Sequence, residues 1–247
     1  MSINSPEQLE KLRACGIIVA KALRAMAREI RPGVTTAELC EIGSGILTAH
    51  GARSSPPMVY GFPGDVCISV NDEVVHGIPG DRVLQPGDLV KLDLTAEKNG
   101  FHTDSAVSIE VSPGAGKTRE LAHCAERAFR KALGVAIAGN RTMDIGRAVE
   151  CEVRRRGFSI IRELTGHGIG RTIHEPPSVP NYADLSAQHK LTEGLVITIE
   201  PIIAAGSGEV SLDKDGWTYR TTDGSLSAHY EHTVVITRGQ PLLLTAA

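Results

Sequence analysis

The chain has 247 residues, 41% of them hydrophobic and 22% charged, with 26 Lys and Arg against 29 Asp and Glu. This composition is that of a globular protein with a buried core and excludes a disordered chain, a collagen and a coiled coil. The formal charge of −3 lacks the basic surplus of a dedicated nucleic-acid binder, so no DNA partner is expected.

Ser5-Pro6-Glu7-Gln8 predicts a helix start, with Ser5 as the cap, Pro6 in the first turn and Gln8 closing a capping box. The helix should run to about Ile30, where Arg31-Pro32-Gly33 stops it. Its basic residues, among them Lys11, Arg13, Lys21, Arg24 and Arg28, read as a solvated face. The start has no apolar core of the secretory type, and no apolar run approaches the ~20 residues of a membrane helix. A cytoplasmic protein without membrane attachment is therefore expected. Thr35-x-x-Glu38 opens a second helix ending near His50-Gly51. Strand-like runs follow at VCISV (66–70), LVKLDLTA (89–96) and TDSAVSIEV (103–111), the last two joined by the turn Lys98-Asn99-Gly100. PGAGKT (113–118) imitates a phosphate loop, but the full pattern needs Gly at 111, where Val111 stands, so it reads as a turn and helix start. A helical block from Thr118 to about Gly157 precedes the runs FSIIREL (158–164), LVITIEPII (195–203) and YEHTVVIT (230–237). Helices then strands, twice over, read as α+β. The five cysteines (Cys15, Cys40, Cys67, Cys124, Cys151) are odd in number, widely spaced and lack a CxxC, as expected of reduced thiols.

The two halves echo each other. Gly33-x-x-Thr36-x-Glu38-Leu39 matches Gly139-x-x-Thr142-x-Asp144-Ile145, GDLVKLD (87–93) matches GLVITIE (194–200), and DSAVSI (104–109) matches EHTVVI (231–236). The shared order suggests an internal duplication within a single domain spanning 1–247, its halves roughly 5–112 and 113–240. The second half should carry about 20 extra residues between Ile203 and His229.

The duplication aligns Asp93 with Glu200 and Asp104 with Glu231, all four in apolar strand contexts. A carboxylate among Val, Ile and Leu is costly unless paired or bound to metal. A two- or four-residue loop at 98–100 would put Asp93 and Asp104 on one face of a hairpin, and a three-residue loop would separate them. Four converging carboxylates call for positive charge between them. The bland alternative, acids paired with Lys or Arg, suffers from the few basic residues flanking these strands. Two divalent cations would offset the charge, and His167 in GHGIG is a candidate nitrogen ligand. Such an oxygen-rich set suits Mn, Fe(II), Co or Mg at least as well as Zn. Metals ~3.5–4 Å apart can polarise a carbonyl and deliver hydroxide.

From Pro6 to Arg238 the chain resembles the type I, bacterial-type methionine aminopeptidases. The resemblance is carried by GFPGDVCISVNDEVVHGIPG (61–80), LVKLDLTAEKNGFHTDSA (89–106), TGHGIGRTIHEPP (165–177), TIEPI (198–202) and DGWTYRTTDGSLSAHYEHT (215–233). It implies a pita-bread fold, an antiparallel sheet covered by helices. It also implies removal of N-terminal methionine from nascent proteins and peptides, with a small second residue favoured. A monomer that can contact the ribosome is expected. The resemblance assigns two divalent ions, Mn, Fe(II), Co or Zn, to Asp93, Asp104, His167, Glu200 and Glu231, with Asp104 and Glu231 bridging, Asp93 on one ion and His167 with Glu200 on the other. It makes Glu200 the general base for hydroxide attack and puts His76 near the scissile nitrogen and His174 at the carbonyl oxygen. Phe62, Cys67 and Trp217 match the methionine pocket. A monovalent cation is implied at the backbone oxygens of Asn71, Glu73 and Ser227. Departures from the family pattern are Val59, Ile173 and Pro176, which leave the pocket wider or less aromatic. Met58 reads as core. His102 and His232, beside Asp104 and Glu231, are expected on the opposite face, while His50, His123, His189 and His229 have no assigned role. Two rivals are weighed. A proline-directed peptidase of the same fold is expected to carry a sizeable N-terminal domain, whereas here the first helix starts near residue 5. A non-catalytic binding module is expected to have lost metal ligands.

Overall fold

The computed structural model describes residues 1–114 and 116–246; Ala115, within the phosphate-loop look-alike, lies outside them. The first helix, α1 (Pro6–Glu29), is capped by Ser5, whose hydroxyl accepts from the Gln8 N–H. Gln8 reaches one residue further back than a capping box would, accepting from the Asn4 N–H at 2.8 Å. α2 (Thr36–Ala49) has the reciprocal box: Thr35 accepts from the Glu38 N–H at 3.1 Å, and Glu38 accepts from the Thr35 N–H at 2.7 Å. A short helix, α3 (Ser55–Tyr60), carries two prolines and ends at Gly61 with φ +73°. α4 (Gly116–Leu133) and α5 (Thr142–Arg155) form the second pair.

Nine strands build the main sheet: β1 (Arg53–Ser54), β2 (Cys67–Val70), β3 (Leu89–Lys98), β4 (Phe101–Glu110), β5 (Gly166–Gly168), β6 (Glu175–Val179), β7 (Val196–Ile199), β8 (Glu231–Val235) and β9 (Leu242–Leu243). Their order is β1-β3-β4-β8-β7-β5-β6, with β2 also paired to β3 and β9 to β8, and every pairing is antiparallel. Strand alternation sends successive side chains to opposite faces. Leu92 and Leu94 meet α1 and α2 in one core, with Ile18, Val19, Met26 and Leu39. Ile197, Ile199 and Val234 meet α4 and α5 in another, with Leu121, Phe129, Ile145 and Val149. The intervening residues face the other way.

The β3–β4 hairpin resolves the register left open by the sequence. Lys98 pairs with Phe101 across the two-residue loop Asn99-Gly100, whose φ values of +54° and +79° make a turn that matches strand twist. Asp93 then stands opposite Ala106 and Asp104 opposite Thr95, so both acids share a face, diagonally related. Ala106 is also opposite Glu231 on β8. A methyl thus lies between two carboxylates in adjacent strands, leaving space above the sheet.

LVITIEPII is not one strand. It breaks at Glu200-Pro201, because proline has no N–H to continue the ladder. β7 stays in the main sheet, while Ile202–Ala204 joins a three-stranded sheet with Ser227–His229 and Ser159–Ile160. FSIIREL likewise contributes only Ser159–Ile160 as strand. The extra segment forms the hairpin Val210–Leu212 with Tyr219–Thr221, which pairs with Glu73–Val75. Met58 is 44% exposed, not core, because the turn of α3 presents it to solvent. The five cysteines are free thiols. Among the described residues no helix is long and apolar enough to cross a membrane.

Candidate metal centre

β3, β4, β5, β8 and the end of β7 bring Asp93, Asp104, His167, Glu231 and Glu200 to one cavity of about 130 Å³, which His76 and His174 also line. Asp104, His167 and Glu231 each offer an atom within 4.8 Å of the others. His167 Nε2 lies 3.5 Å from Glu200 Oε1. Hydroxyls from the sheet fix the carboxylates: Thr95 donates to Asp104 Oδ2 at 2.6 Å, and Thr198 donates to Glu200 Oε1 at 2.7 Å while accepting from the His167 N–H. His167 Nδ1 donates to the Gly168 carbonyl at 2.9 Å. That tautomer leaves a lone pair on Nε2, the atom a metal takes.

Electrostatics set these acids apart. Burial pushes Asp93 and Glu231 well above the usual carboxylate range, and Asp104 and Glu200 push them further. Burial also raises Asp104, against the Thr95 hydrogen bond. Burial lifts Glu200 to about 8, with the Thr198 hydrogen bond opposing and the Asp104 charge adding. His167 is pushed down to about 3 by burial and then by His174, whose ring centroid is 4.2 Å away. Among the described residues no Lys or Arg lies within ion-pair distance of the four acids; Glu200 and Glu231 have histidine neighbours instead. Asp104 Oδ1 and Glu231 Oε1 are buried without a hydrogen-bond partner. Orphaned carboxyl oxygens beside a neutral imidazole are the donor chemistry of a divalent-metal site, so the residues fit such ions.

A second cavity, of about 90 Å³, adjoins the first. Tyr60, Phe62, Cys67, Ile173 and Trp217 form its walls, and His76, His174, Asp93 and Asp104 also border it. At roughly three waters' worth of liquid volume, it suits one side chain. Phe62 and Trp217 meet edge-on at 5.4 Å. Cys67 is opposite Asp93 in the β2–β3 register, and burial pushes its thiol well up. Val59 is 46% exposed and takes no part in the wall; Tyr60 does, with its hydroxyl 2.6 Å from His174 Nδ1. Ile173 is buried in the wall. The inserted hairpin delivers Trp217: Asp215 accepts from the Trp217 and Thr218 N–H groups at 2.8 Å and from the Thr218 hydroxyl at 2.6 Å, and that hydroxyl oxygen lies 3.3 Å from the His76 carbonyl. His76 itself sits at φ +58°, a conformation that costs energy for a residue with a Cβ.

Three placements differ from expectation. His102 is two residues from Asp104 and so shares its face, because alternation has period two; Ser55 holds its Nδ1 at 2.8 Å. His232 does face away, against Phe129. His229, left without a role, is buried at the cavity, with Nε2 3.5 Å from Glu231 Oε2 and 3.9 Å from Glu200 Oε2 and neither ring nitrogen hydrogen-bonded. Its spacing of two from Glu231 was the available signal. The monovalent cation does not fit: Lys91 Nζ already donates to the Asn71 carbonyl at 2.7 Å and the Ser227 carbonyl at 3.2 Å, and two cations cannot share these oxygens. Glu73 spends its side chain on Arg82, Arg220 and the Val70 N–H.

An antiparallel sheet thus carries helix pairs over one face and, on the other, a buried acid cluster with the donor set of a divalent-metal site. The chain belongs to metallopeptidase family M24, whose family model matches residues 10–238, and its fold is the pita-bread fold. It is 45% identical to methionine aminopeptidase 2 of Bacillus subtilis (strain 168) over 247 residues, covering 99% of each chain. Among solved structures, methionine aminopeptidase from Thermotoga maritima superposes with a TM-score of 0.97 at 34% identity, covering all of both chains. That from Rickettsia prowazekii gives 0.94 at 36% identity, covering 99% of this chain and 100% of the other.

Proposed function

We propose that this chain removes N-terminal methionine from peptides and nascent proteins, favouring a small second residue. The observation that carries the reading is one buried cluster of four carboxylates and an imidazole opening directly onto an apolar, side-chain-sized pocket. Asp93, Asp104, His167, Glu200 and Glu231 would hold two divalent cations, of which Mn, Fe(II) and Co suit an oxygen-rich set with one nitrogen as well as Zn does, and which when bound supply Lewis acidity and an activated water. Glu200, fixed by Thr198, takes the proton of the attacking water. Tyr60 donates to His174 Nδ1, which leaves the His174 proton on Nε2 for the carbonyl oxygen as it becomes negative. His76 serves the departing nitrogen. Phe62, Cys67, Ile173 and Trp217 take the methionine side chain, where a flexible thioether against aromatic edges packs well.

The test is peptide cleavage followed by mass spectrometry, with chelator-stripped protein reloaded with Mn, Co, Fe(II), Zn or Mg. Metal-dependent loss of Met from Met-Ala-Ser, with Leu-Ala-Ser and N-acetyl-Met-Ala-Ser untouched, supports both centre and pocket. Equal release of Leu removes the methionine assignment. No cleavage by folded, reloaded protein removes the catalytic reading.

A further inference from the structure

Lys91 is among the largest fully buried side chains of the described residues, 1% exposed, and burial pulls its ammonium down to about 7 against the opposing charges of Glu73 and Asp72. Burying such a group costs several kcal/mol unless its donors are all taken. They are taken by neutral oxygens: the Asn71 carbonyl at 2.7 Å, the Ser227 carbonyl at 3.2 Å and the Ser227 hydroxyl at 3.2 Å. The nearby carboxylates are committed elsewhere, Glu73 to Arg82 and Arg220, and Asp72 to Arg220. The cradle is built, not incidental. Asn71 holds φ +60°, and its amide is clamped between Asp88 Oδ1 at 2.8 Å and the Leu89 N–H at 2.9 Å, which aims its carbonyl. The Ser227 hydroxyl, accepting from Lys91, is 3.1 Å from both the Asn71 and the Glu73 carbonyl and has one proton to share between them. Uncharged oxygens around one compact charge are the coordination chemistry of a dehydrated monovalent ion.

We propose that Lys91 is a covalently attached structural cation: its ammonium fills an oxygen cradle that would otherwise hold a free monovalent ion. It ties the turn at Asn71 to the strand Ser227–His229, two residues before Asp93 on one side and four before Glu231 on the other. The tether joins segments far apart in sequence that carry ligand-bearing strands, so the cluster is braced without dependence on potassium or sodium. Substituting Lys91 with an uncharged residue vacates the cradle and leaves its three oxygens open to a free ion.

The test measures thermal unfolding of the full chain in potassium, sodium and tetramethylammonium chloride at equal ionic strength, the last ion being too large for the cradle. The wild type should unfold at one temperature in all three salts. Lys91→Met and Lys91→Ala should be less stable in tetramethylammonium and should regain ~4 °C or more in potassium or sodium, the gain rising with the logarithm of ion concentration. A wild-type midpoint that rises in potassium or sodium overturns the proposal without any variant. So does a folded Lys91→Ala indifferent to the ion. Folding of either variant in potassium but not in tetramethylammonium supports it.

Discussion

Replacing Glu200 with glutamine should flatten the pH dependence of stability of the metal-free protein. Burial holds the Glu200 carboxyl at about 8 instead of 4.5, and the Asp104 charge contributes. Between those values the folded chain keeps a proton that the unfolded chain has released, so stability falls as pH rises. The contribution is complete below 4.5 and is lost as pH passes through about 8. The displacement corresponds to about 5 kcal/mol, a large share of the ~5–15 kcal/mol that keeps a domain folded. Glutamine cannot ionise, yet still accepts the Thr198 hydrogen bond. Urea midpoints in EDTA from about pH 5 to about pH 8 should therefore fall less for Glu200→Gln, by up to about 5 kcal/mol, and the variant should overtake the wild type at the alkaline end. Superimposable curves would refute the reasoning.

Thr198→Val removes both the donor to Glu200 and the acceptor of the His167 N–H; metal affinity should drop ~10–100-fold, read by competition with a chelating dye. Tyr60→Phe removes the contact to His174 Nδ1 and should lower kcat about fivefold with little change in KM, measured on Met-Ala-Ser. Trp217→Ala opens the pocket opposite Phe62 and should raise KM for Met-Ala-Ser while admitting Leu-Ala-Ser, a shift that paired mass-spectrometric assays would detect. Thr35→Ala breaks the α2 capping box and should cost ~1 kcal/mol with unchanged cleavage, separating stability from chemistry.

What could be read from the sequence was local or repeated. Ser5, Thr35 and the Asn99-Gly100 turn act through neighbours within a few residues, and each behaves as its side chain dictates. The four acids stood out because the duplicated pattern put each in an apolar strand. Other features depend on partners distant in the chain. Lys91 binds backbone carbonyls, which every residue possesses, so nothing in its acceptors marks the cradle. His229 matters because the break at Pro201 turns its strand back over Glu200 and Glu231. Trp217 reaches Phe62 only through the pairing of the inserted hairpin with Glu73–Val75. The turn of a single short helix leaves Val59 outside the pocket and brings Tyr60 into its wall, and no periodicity in a Pro-rich segment foretells that.

The most direct test of the dinuclear aminopeptidase reading is a titration of metal-stripped protein with Mn(II), following bound metal and methionine release from Met-Ala-Ser in the same samples. The account predicts saturation near two ions per chain, cleavage that rises with occupancy, and loss of both in Asp104→Asn and Glu231→Gln. Full cleavage by stripped protein in excess chelator, or tight two-ion binding that persists in both variants, would contradict it.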